Sequence, residues 1–242
     1  MTPEQGGPNG TDTPRHAPWL LAIDTGTSQI VVAAGRLDGT VVRVLGWPAG
    51  HRHGELLLAG VGQLLAETGL ARERLAGVVV GIGPGAFTGL RVGLATAKTL
   101  AHAMSLPIAG VGTGEALLHA AWLAEGRAPG AASALLLPAG PHDRVLVRAD
   151  AAPVLLPGGT DPEVPAGVSL IAVDLDGRAP TDAAARGLVA SAGLGAALLA
   201  IGAERLATGR ADDVERLVPE YVTLPRGVRA SVGEISWSHD PR

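Results

Sequence analysis

The sequence Asp24-Thr25-Gly26-Thr27-Ser28 has the residue types that could hold a phosphate group. Apolar, β-branched segments precede it at 19–23 and follow it at 30–34, so the five residues form a strand-to-strand hairpin. Such a turn can direct backbone N–H groups and hydroxyls at a phosphate, and an aspartate at a strand end can lie near the metal ion. Any tight hairpin also prefers these residues, so phosphate binding and a plain turn both stay open.

A phosphotransferase needs a second phosphate-binding turn and carboxylates for Mg²⁺ in addition to this hairpin. The best candidate is the segment 174–182, which follows an apolar run and contains Asp174, Asp176, Gly177 and Asp182. It lacks the paired glycines that let a backbone close on a phosphate, and an ordinary Asp-Gly turn explains it equally well. The incomplete set argues against an independent ATPase or kinase, which is kept as the alternative hypothesis.

A second glycine-rich stretch, GIGPGAFTGLR, occupies residues 81–91. It is not a P-loop, because Gly89-Leu90-Arg91 stands where Gly-Lys-Ser/Thr is needed. It is a poor dinucleotide fingerprint as well, because no carboxylate occurs in residues 101–114, where the ribose-binding acid is expected. Neither nucleotide motif is therefore satisfied by this stretch.

A packing role accounts for the same stretch if residues 87–104 form a helix. Small side chains then make a ridge at i, i+4 spacing, formed by Gly89, Gly93, Ala97 and Ala101. Such a ridge allows another helix to approach closely, at about 1 kcal/mol of helix propensity for each interior glycine. Arg91 and Lys98 form a basic stripe on another side. We expect the ridge to be covered by a partner protein or by a neighbouring helix of this chain.

Hydrophobic periodicity predicts the elements that position these motifs. Three antiparallel strands, a helix, a buried strand, the glycine-rich helix and another buried strand give the order β-β-β-α-β-α-β, which is a mixed sheet with flanking helices. The segments of this first half are 19–23, 30–34, 41–45, 53–69, 77–82, 87–104 and 106–111. In the second half we predict strands at 133–139, 144–149 and 169–173, a loop at 150–167, one long helix or two at 181–208, and an extended piece at 219–225.

Composition limits the function classes. The 242 residues are 47% hydrophobic but only 2% aromatic, and they include no cysteine, which excludes disulfides, thiolate metal sites and cysteine nucleophiles. A net charge of −4 does not suit a nucleic-acid binder that works by bulk electrostatics. We expect residues 1–18 to be a disordered extension and residues 226–242 to be a flexible tail. The uncharged segment 187–203 favours a buried helix over a membrane span.

Three segments in this order resemble the TsaB (YeaZ) family, whose members take part in making threonylcarbamoyladenosine (t6A) in tRNA. The segments are LAIDTGTSQIVVAAG, HRHGELLLAGVGQLLAETGL and GVVVGIGPGAFTGLRVGLATAKTLAHAMSLPIAGVGT, and GPGAFTGLRVGLATAK is the most specific part. The resemblance covers 19–115 and returns faintly at LVPEYVTLP. It implies an α/β, actin/Hsp70/sugar-kinase-like (ribonuclease H-like) fold of two lobes, the first at 19–115 and the second, reduced, at 116–225.

The resemblance also implies a function. The chain would be a non-catalytic, cytoplasmic subunit that binds and stabilises a TsaD-type catalytic subunit, with a TsaE-type ATPase completing the complex and tRNA reached only through it. In isolation it would form a homodimer and would not bind membranes. It implies no intrinsic cofactor or metal, and it leaves open a nucleotide at the partner interface. A self-associating scaffold without a tRNA role is a further alternative.

Residue by residue, the resemblance implies a vestigial phosphate loop at Asp24, Thr25, Gly26, Thr27 and Ser28. It places the partner interface on the helices near 53–69 and 86–104, at Leu57, Val61, Leu65, Gly89, Arg91, Gly93, Ala97, Lys98 and Ala101. No catalytic residue is expected: His51-x-His53 differs from the His-x-x-x-His metal motif of TsaD, and no Gly-x-Ser-x-Gly elbow occurs. One departure from the family is LLLPAGPHDRVLV, where an Asp-Ala-Arg-like strand and turn is common; its role is open.

Overall fold

The computed structural model describes residues 17–50 and 52–222, and it contains two sheets. The first sheet has the strand order β3-β2-β1-β4-β5, with antiparallel pairing among β1, β2 and β3 and parallel pairing of β4 with β1 and β5. The predicted mixed sheet is therefore confirmed. Its strands are β1 (Trp19–Asp24), β2 (Gln29–Gly35), β3 (Val41–Pro48), β4 (Leu75–Gly83) and β5 (Ile108–Gly112).

Two helices, α1 (His53–Thr68) and α2 (Phe87–Ala103), cover one face of this sheet. Because alternate side chains of a strand point to opposite faces, β1 sends Trp19, Leu21 and Ile23 towards α1 and α2. α1 ends at Gly69, whose φ of 63° is the left-handed conformation that glycine adopts without steric cost. Both helices were predicted with their approximate ends.

Two further helices, α3 (Thr113–Ala124) and α4 (Thr181–Ala207), lie between the first sheet and the second. The second sheet has the order β8-β7-β6-β9. One core cluster joins both sheets and both helices, so the two lobes share a hydrophobic interior. The strands of the second sheet are β6 (Ser133–Pro138), β7 (Arg144–Arg148), β8 (Ala151–Leu156) and β9 (Ser169–Ala172).

Several details of the second half differ from the predictions. β8 lies within the segment 150–167, which was predicted as a loop; it is an edge strand, where Pro153 removes no ladder hydrogen bond that a neighbour needs. α3 was not predicted, and the expected lobe boundary after residue 115 falls inside it. Residues 219–222 form no strand, and the remainder of that prediction lies outside the described residues.

The helix α4 is a single helix that is long and apolar enough to span a membrane by length and composition alone. In the structure it packs across both sheets. A Cβ at Gly187 would lie 1.7 Å from the Ala172 carbonyl oxygen of β9, and one at Gly202 would lie 2.3 Å from a methyl of Val79 in β4. These contacts agree with the predicted buried helix.

Candidate functional site

The hairpin between β1 and β2 is pressed against the small-residue ridge of α2. A Cβ at Gly89 would lie 1.9 Å from the Thr25 carbonyl oxygen, and one at Gly93 would lie 2.2 Å from Thr25 Oγ1. Thr25 Oγ1 also donates a hydrogen bond to the Gly89 carbonyl oxygen at 2.7 Å. Any side chain at these two positions would therefore displace the hairpin.

The same hairpin also contacts the glycines that precede α2. A Cβ at Gly81 would lie 1.8 Å from Asp24 Oδ2, and one at Gly85 would lie 2.2 Å from the Gly26 carbonyl oxygen. That carbonyl accepts a hydrogen bond from Ala86 N at 2.7 Å. The two glycine-rich motifs thus meet in one contact, the glycine seam, formed by residues 24–26 against Gly81, Gly85, Gly89 and Gly93.

The small-residue ridge, expected to face a partner protein or a neighbouring helix, is covered by this chain's own hairpin and sheet, and a partner contact at these residues stays a prediction. Gly89, Gly93, Ala97 and Ala101 are all buried inside this chain. The physical reason is that the hairpin backbone and the first sheet already occupy the space that the missing side chains leave. Leu57, predicted as a partner contact, is likewise fully buried in the core.

Asp24 anchors the hairpin from below. Its side chain is fully buried, and one carboxylate oxygen accepts a hydrogen bond from Thr113 Oγ1 at 2.7 Å while the other accepts one from Gly26 N at 2.8 Å. Burial raises the pKa of Asp24 from 3.8 to about 6; the hydrogen bonds oppose this rise, and the nearby Asp174 carboxylate adds to it. Asp24 is therefore a structural carboxyl that titrates close to neutral pH.

The outer end of the hairpin is closed by Asp174, which comes from the second lobe. Ser28 N donates to one oxygen of this carboxylate at 2.6 Å, and Ser28 Oγ donates to the other at 2.5 Å. Asp174 adopts a φ of 57°, in the left-handed region. The carboxylate thus uses an N–H and a hydroxyl that a phosphate-binding turn would direct at a phosphate. Asp182 does not join it, because it pairs with Arg186 on α4 at 2.8 Å.

A cleft of about 800 Å³ opens beside Ser28, between the two lobes. The first lobe contributes Phe87 and residues 26–28 to its walls, and the second contributes Asp143 and Asp174. Lysine and arginine are absent from the described residues that line the cleft. Within 17–50 and 52–222, no group of three His, Asp or Glu side chains is placed to hold a metal ion. His53 is buried at the start of α1, and His51 lies outside the described residues.

After α4 the chain returns across the first lobe as residues 211–222, which we call the C-terminal strap. Asp212 N donates to the Ile108 carbonyl oxygen at 2.8 Å. Lys98 Nζ donates to two strap carbonyls, those of Glu215 and Leu217, at 3.1 Å each. Lys98, predicted as a partner contact, therefore binds this chain's own strap.

Arg91 binds the same strap at its far end. Arg91 Nε donates to the Tyr221 hydroxyl at 3.2 Å, and the guanidinium lies 4.3 Å from the centre of the Phe87 ring. The centres of the Phe87 and Tyr221 rings are 5.0 Å apart. These are the chain's only phenylalanine and tyrosine, and nothing in the sequence linked two residues so far apart. The basic stripe is thus the anchor of the strap.

An apolar groove of about 320 Å³ separates α1 from α2. Val61 and Leu65 of α1 line it together with Leu100 and Met104 near the end of α2. Leu58, one turn before Val61 on the same side of α1, is 60% exposed. Among the predicted partner residues, Val61 and Leu65 therefore lie at an accessible apolar surface.

Two lobes that share a core, with a β-hairpin at the mouth of the cleft between them, define a protein of the actin/Hsp70/sugar-kinase-like class. A family model described as "TsaD: tRNA N6-adenosine threonylcarbamoyltransferase" matches residues 47–160. The solved structure of YeaZ from Pseudomonas aeruginosa matches with a TM-score of 0.65 at 24% identity, covering 85% of this chain and 100% of that chain. This structural match establishes the fold.

Curated relatives match over a shorter segment. The tRNA threonylcarbamoyladenosine biosynthesis protein TsaB of Bacillus subtilis is 34% identical over 98 residues, which are 40% of this chain and 42% of that protein. An uncharacterised protein of Mycobacterium leprae is 43% identical over 96 residues, which are 38% of this chain and 26% of that protein. The matched segments thus span less than half of these relatives. Over these segments the chain is similar to proteins of the TsaB (YeaZ) family.

Proposed function

We propose that this chain is a non-catalytic subunit of a t6A-synthesising complex that binds and stabilises a TsaD-type subunit. Family relatives are named for t6A biosynthesis, which supports the pathway. In this proposal a TsaE-type ATPase joins the complex, tRNA is contacted through the complex, and the chain works in the cytoplasm. The isolated chain forms a homodimer through the surface that the TsaD-type subunit would use.

The observation that carries the non-catalytic part is the Asp174 carboxylate bound to Ser28. A phosphate in this turn would need the same N–H and hydroxyl, and it would meet a negative charge in their place. The carboxylates of Asp174 and Asp143 in the cleft wall would repel a polyphosphate further, since no lysine or arginine is among the described residues that line the cleft. Phosphoryl transfer by this chain alone is therefore disfavoured.

The apolar groove between α1 and α2 is the surface we assign to the partner. Apart from Arg72 and Glu73, the residues that line it are hydrophobic, and Leu58 and Met104 are exposed, at 60% and 38% of their surface. Apolar residues grouped in this way on a helical surface are typical of protein interfaces. Arg91 and Lys98 hold the strap, so their contribution to partner binding would be indirect.

The test is co-elution of the purified chain with its TsaD-type subunit, followed by measurement of t6A in tRNA by mass spectrometry. The double variant Leu58→Glu/Met104→Glu should lose co-elution and t6A formation, because burying two carboxylates in an apolar interface is costly. The matched control is Leu188→Glu, at an exposed leucine of α4, and it should behave like the wild type.

Retained pairing in the double variant would reject the groove as the partner surface.

The kinase or ATPase alternative is tested on the isolated chain. Clear ATP turnover that is lost in Ser28→Ala, an exposed position that threatens the fold little, would overturn the non-catalytic assignment.

A further inference from the structure

The segment LLLPAGPHDRVLV, which differs from the strand and turn that the resemblance to the TsaB family implies, forms part of a second cavity. Three loops of the second lobe line an open cavity of about 420 Å³. They are residues 139–143 between β6 and β7, residues 157–161 after β8, and residues 174–178 after β9. Two arginines, Arg144 and Arg178, line this cavity with His142.

Arg144 is the first residue of β7, and only 9% of its surface is exposed. Its guanidinium donates hydrogen bonds to the backbone carbonyl oxygens of Thr160 and, at 3.3 Å, Arg178. Carbonyl acceptors fix the position of a guanidinium but do not neutralise its charge. This cation is therefore held in place, largely out of water, at the wall of a cavity.

Arg178 is held in the same manner from the opposite loop. Its guanidinium donates to the carbonyl oxygens of Gly140 at 3.4 Å and Pro141 at 3.0 Å. Gly158 and Gly159 form another part of the wall, where the absence of side chains keeps the cavity open. Two positive charges thus line a single cavity whose loops they also position.

The carboxylates nearby compensate these charges only in part. Asp161 Oδ1 lies 4.0 Å from Arg144 Nη2, beyond hydrogen-bond distance, and its side chain is fully exposed. The carboxylate of Asp143 accepts a hydrogen bond from Gly158 N at 2.9 Å and also lines the cleft between the lobes. An anion in the cavity would therefore meet two guanidinium groups, with the carboxylates of Asp161 and Asp143 as its competitors.

We propose that Arg144 and Arg178 form a binding site for a phosphate group, carried either by a small molecule or by the backbone of an RNA. Guanidinium forks bind phosphate oxygens through paired, charge-assisted hydrogen bonds, and a pre-positioned pair loses little conformational entropy on binding. The site lies in the second lobe, apart from the α1–α2 groove. Its test is therefore independent of the test of the proposed function.

The experiment measures two probes on the full chain: inorganic phosphate, by titration calorimetry and by the shift of the melting temperature, and a labelled RNA hairpin, by fluorescence anisotropy. Arg178→Gln should weaken binding about tenfold or more, as expected when a charge-assisted pair is lost. Asp161→Asn should strengthen it, because one competing carboxylate is removed without touching a buried residue.

The matched control is Arg148→Gln, on the same strand β7, where the arginine donates to the Glu163 carbonyl oxygen away from this cavity. It should bind both probes like the wild type. A response to phosphate identifies a small-molecule phosphate as a ligand, whereas a response to RNA alone identifies the phosphodiester backbone. Equal binding by the wild type and Arg178→Gln, or no saturable binding of either probe to the wild type, would overturn the proposal.

Discussion

The hairpin of the first lobe and the loops of the second lobe are held in position by opposite means, glycines in the one and long arginine side chains in the other. In the seam, four glycines leave room for the backbone of the hairpin and for the side chains of Asp24 and Thr25. In the second lobe, Arg144 and Arg178 reach across open space to backbone carbonyls of three loops. The hairpin fills the space that the missing side chains leave on α2, whereas the loops held by long arginine side chains line an open cavity.

The largest expected effect comes from filling the seam. Gly89→Ala should destabilise the chain by about 3 kcal/mol or more, because its Cβ would lie 1.9 Å from the Thr25 carbonyl oxygen and backbone must move. Chemical denaturation would measure the loss. Gly62→Ala is the control, since nothing lies within 4 Å of its Cβ on α1, and it should stabilise by about 0.5–1 kcal/mol. Equal effects at the two glycines would show that the seam is not tight.

A second effect depends on the carboxyl that the seam buries. Because the pKa of Asp24 is about 6 in the folded chain, against its ordinary value of 3.8 in an unfolded one, the folded chain holds this proton more tightly between those values. Its stabilising contribution is complete below about pH 4 and is lost as pH rises through about 6, by roughly 3 kcal/mol in total. Denaturation curves of wild type and Asp24→Asn from pH 4 to 7 would measure it. Parallel pH dependence in the two proteins would contradict the burial of this charge.

The smallest effect is expected in the second lobe. Arg144→Met should destabilise by about 2 kcal/mol, because two carbonyls lose their donor while the aliphatic part of the side chain is retained. Arg148→Met, at an arginine of the same strand that makes a single exposed hydrogen bond, should cost less than about 1 kcal/mol. Thermal melts of both variants give the comparison. A loss at Arg144 as large as that at Gly89 would mean that the second lobe is packed as tightly as the first.

The strands and helices of the first lobe could be predicted from the sequence because the patterns that indicate them are local. The apolar run of β1, the helical spacing in α1 and the end of that helix at Gly69 each depend on neighbouring residues, and the structure confirms them. The elements of the second lobe were predicted less completely. β8 contains a proline that only its edge position allows, and the small and apolar residues of α3 gave no distinctive period.

The candidate site divides in the same manner. The sequence alone determined that Asp24 to Ser28 form a turn, that glycines recur at residues 81, 85, 89 and 93, and that the chain resembles TsaB. It did not determine what those glycines face. Tertiary structure decided that the hairpin fills the ridge, that Asp174 closes over Ser28, and that Arg91 and Lys98 hold the strap. The physical reason is that a missing side chain shows only that something must come close. Chain folding brings Thr25 to Gly89 from 64 residues away, and Asp174 to Ser28 from 146 residues away.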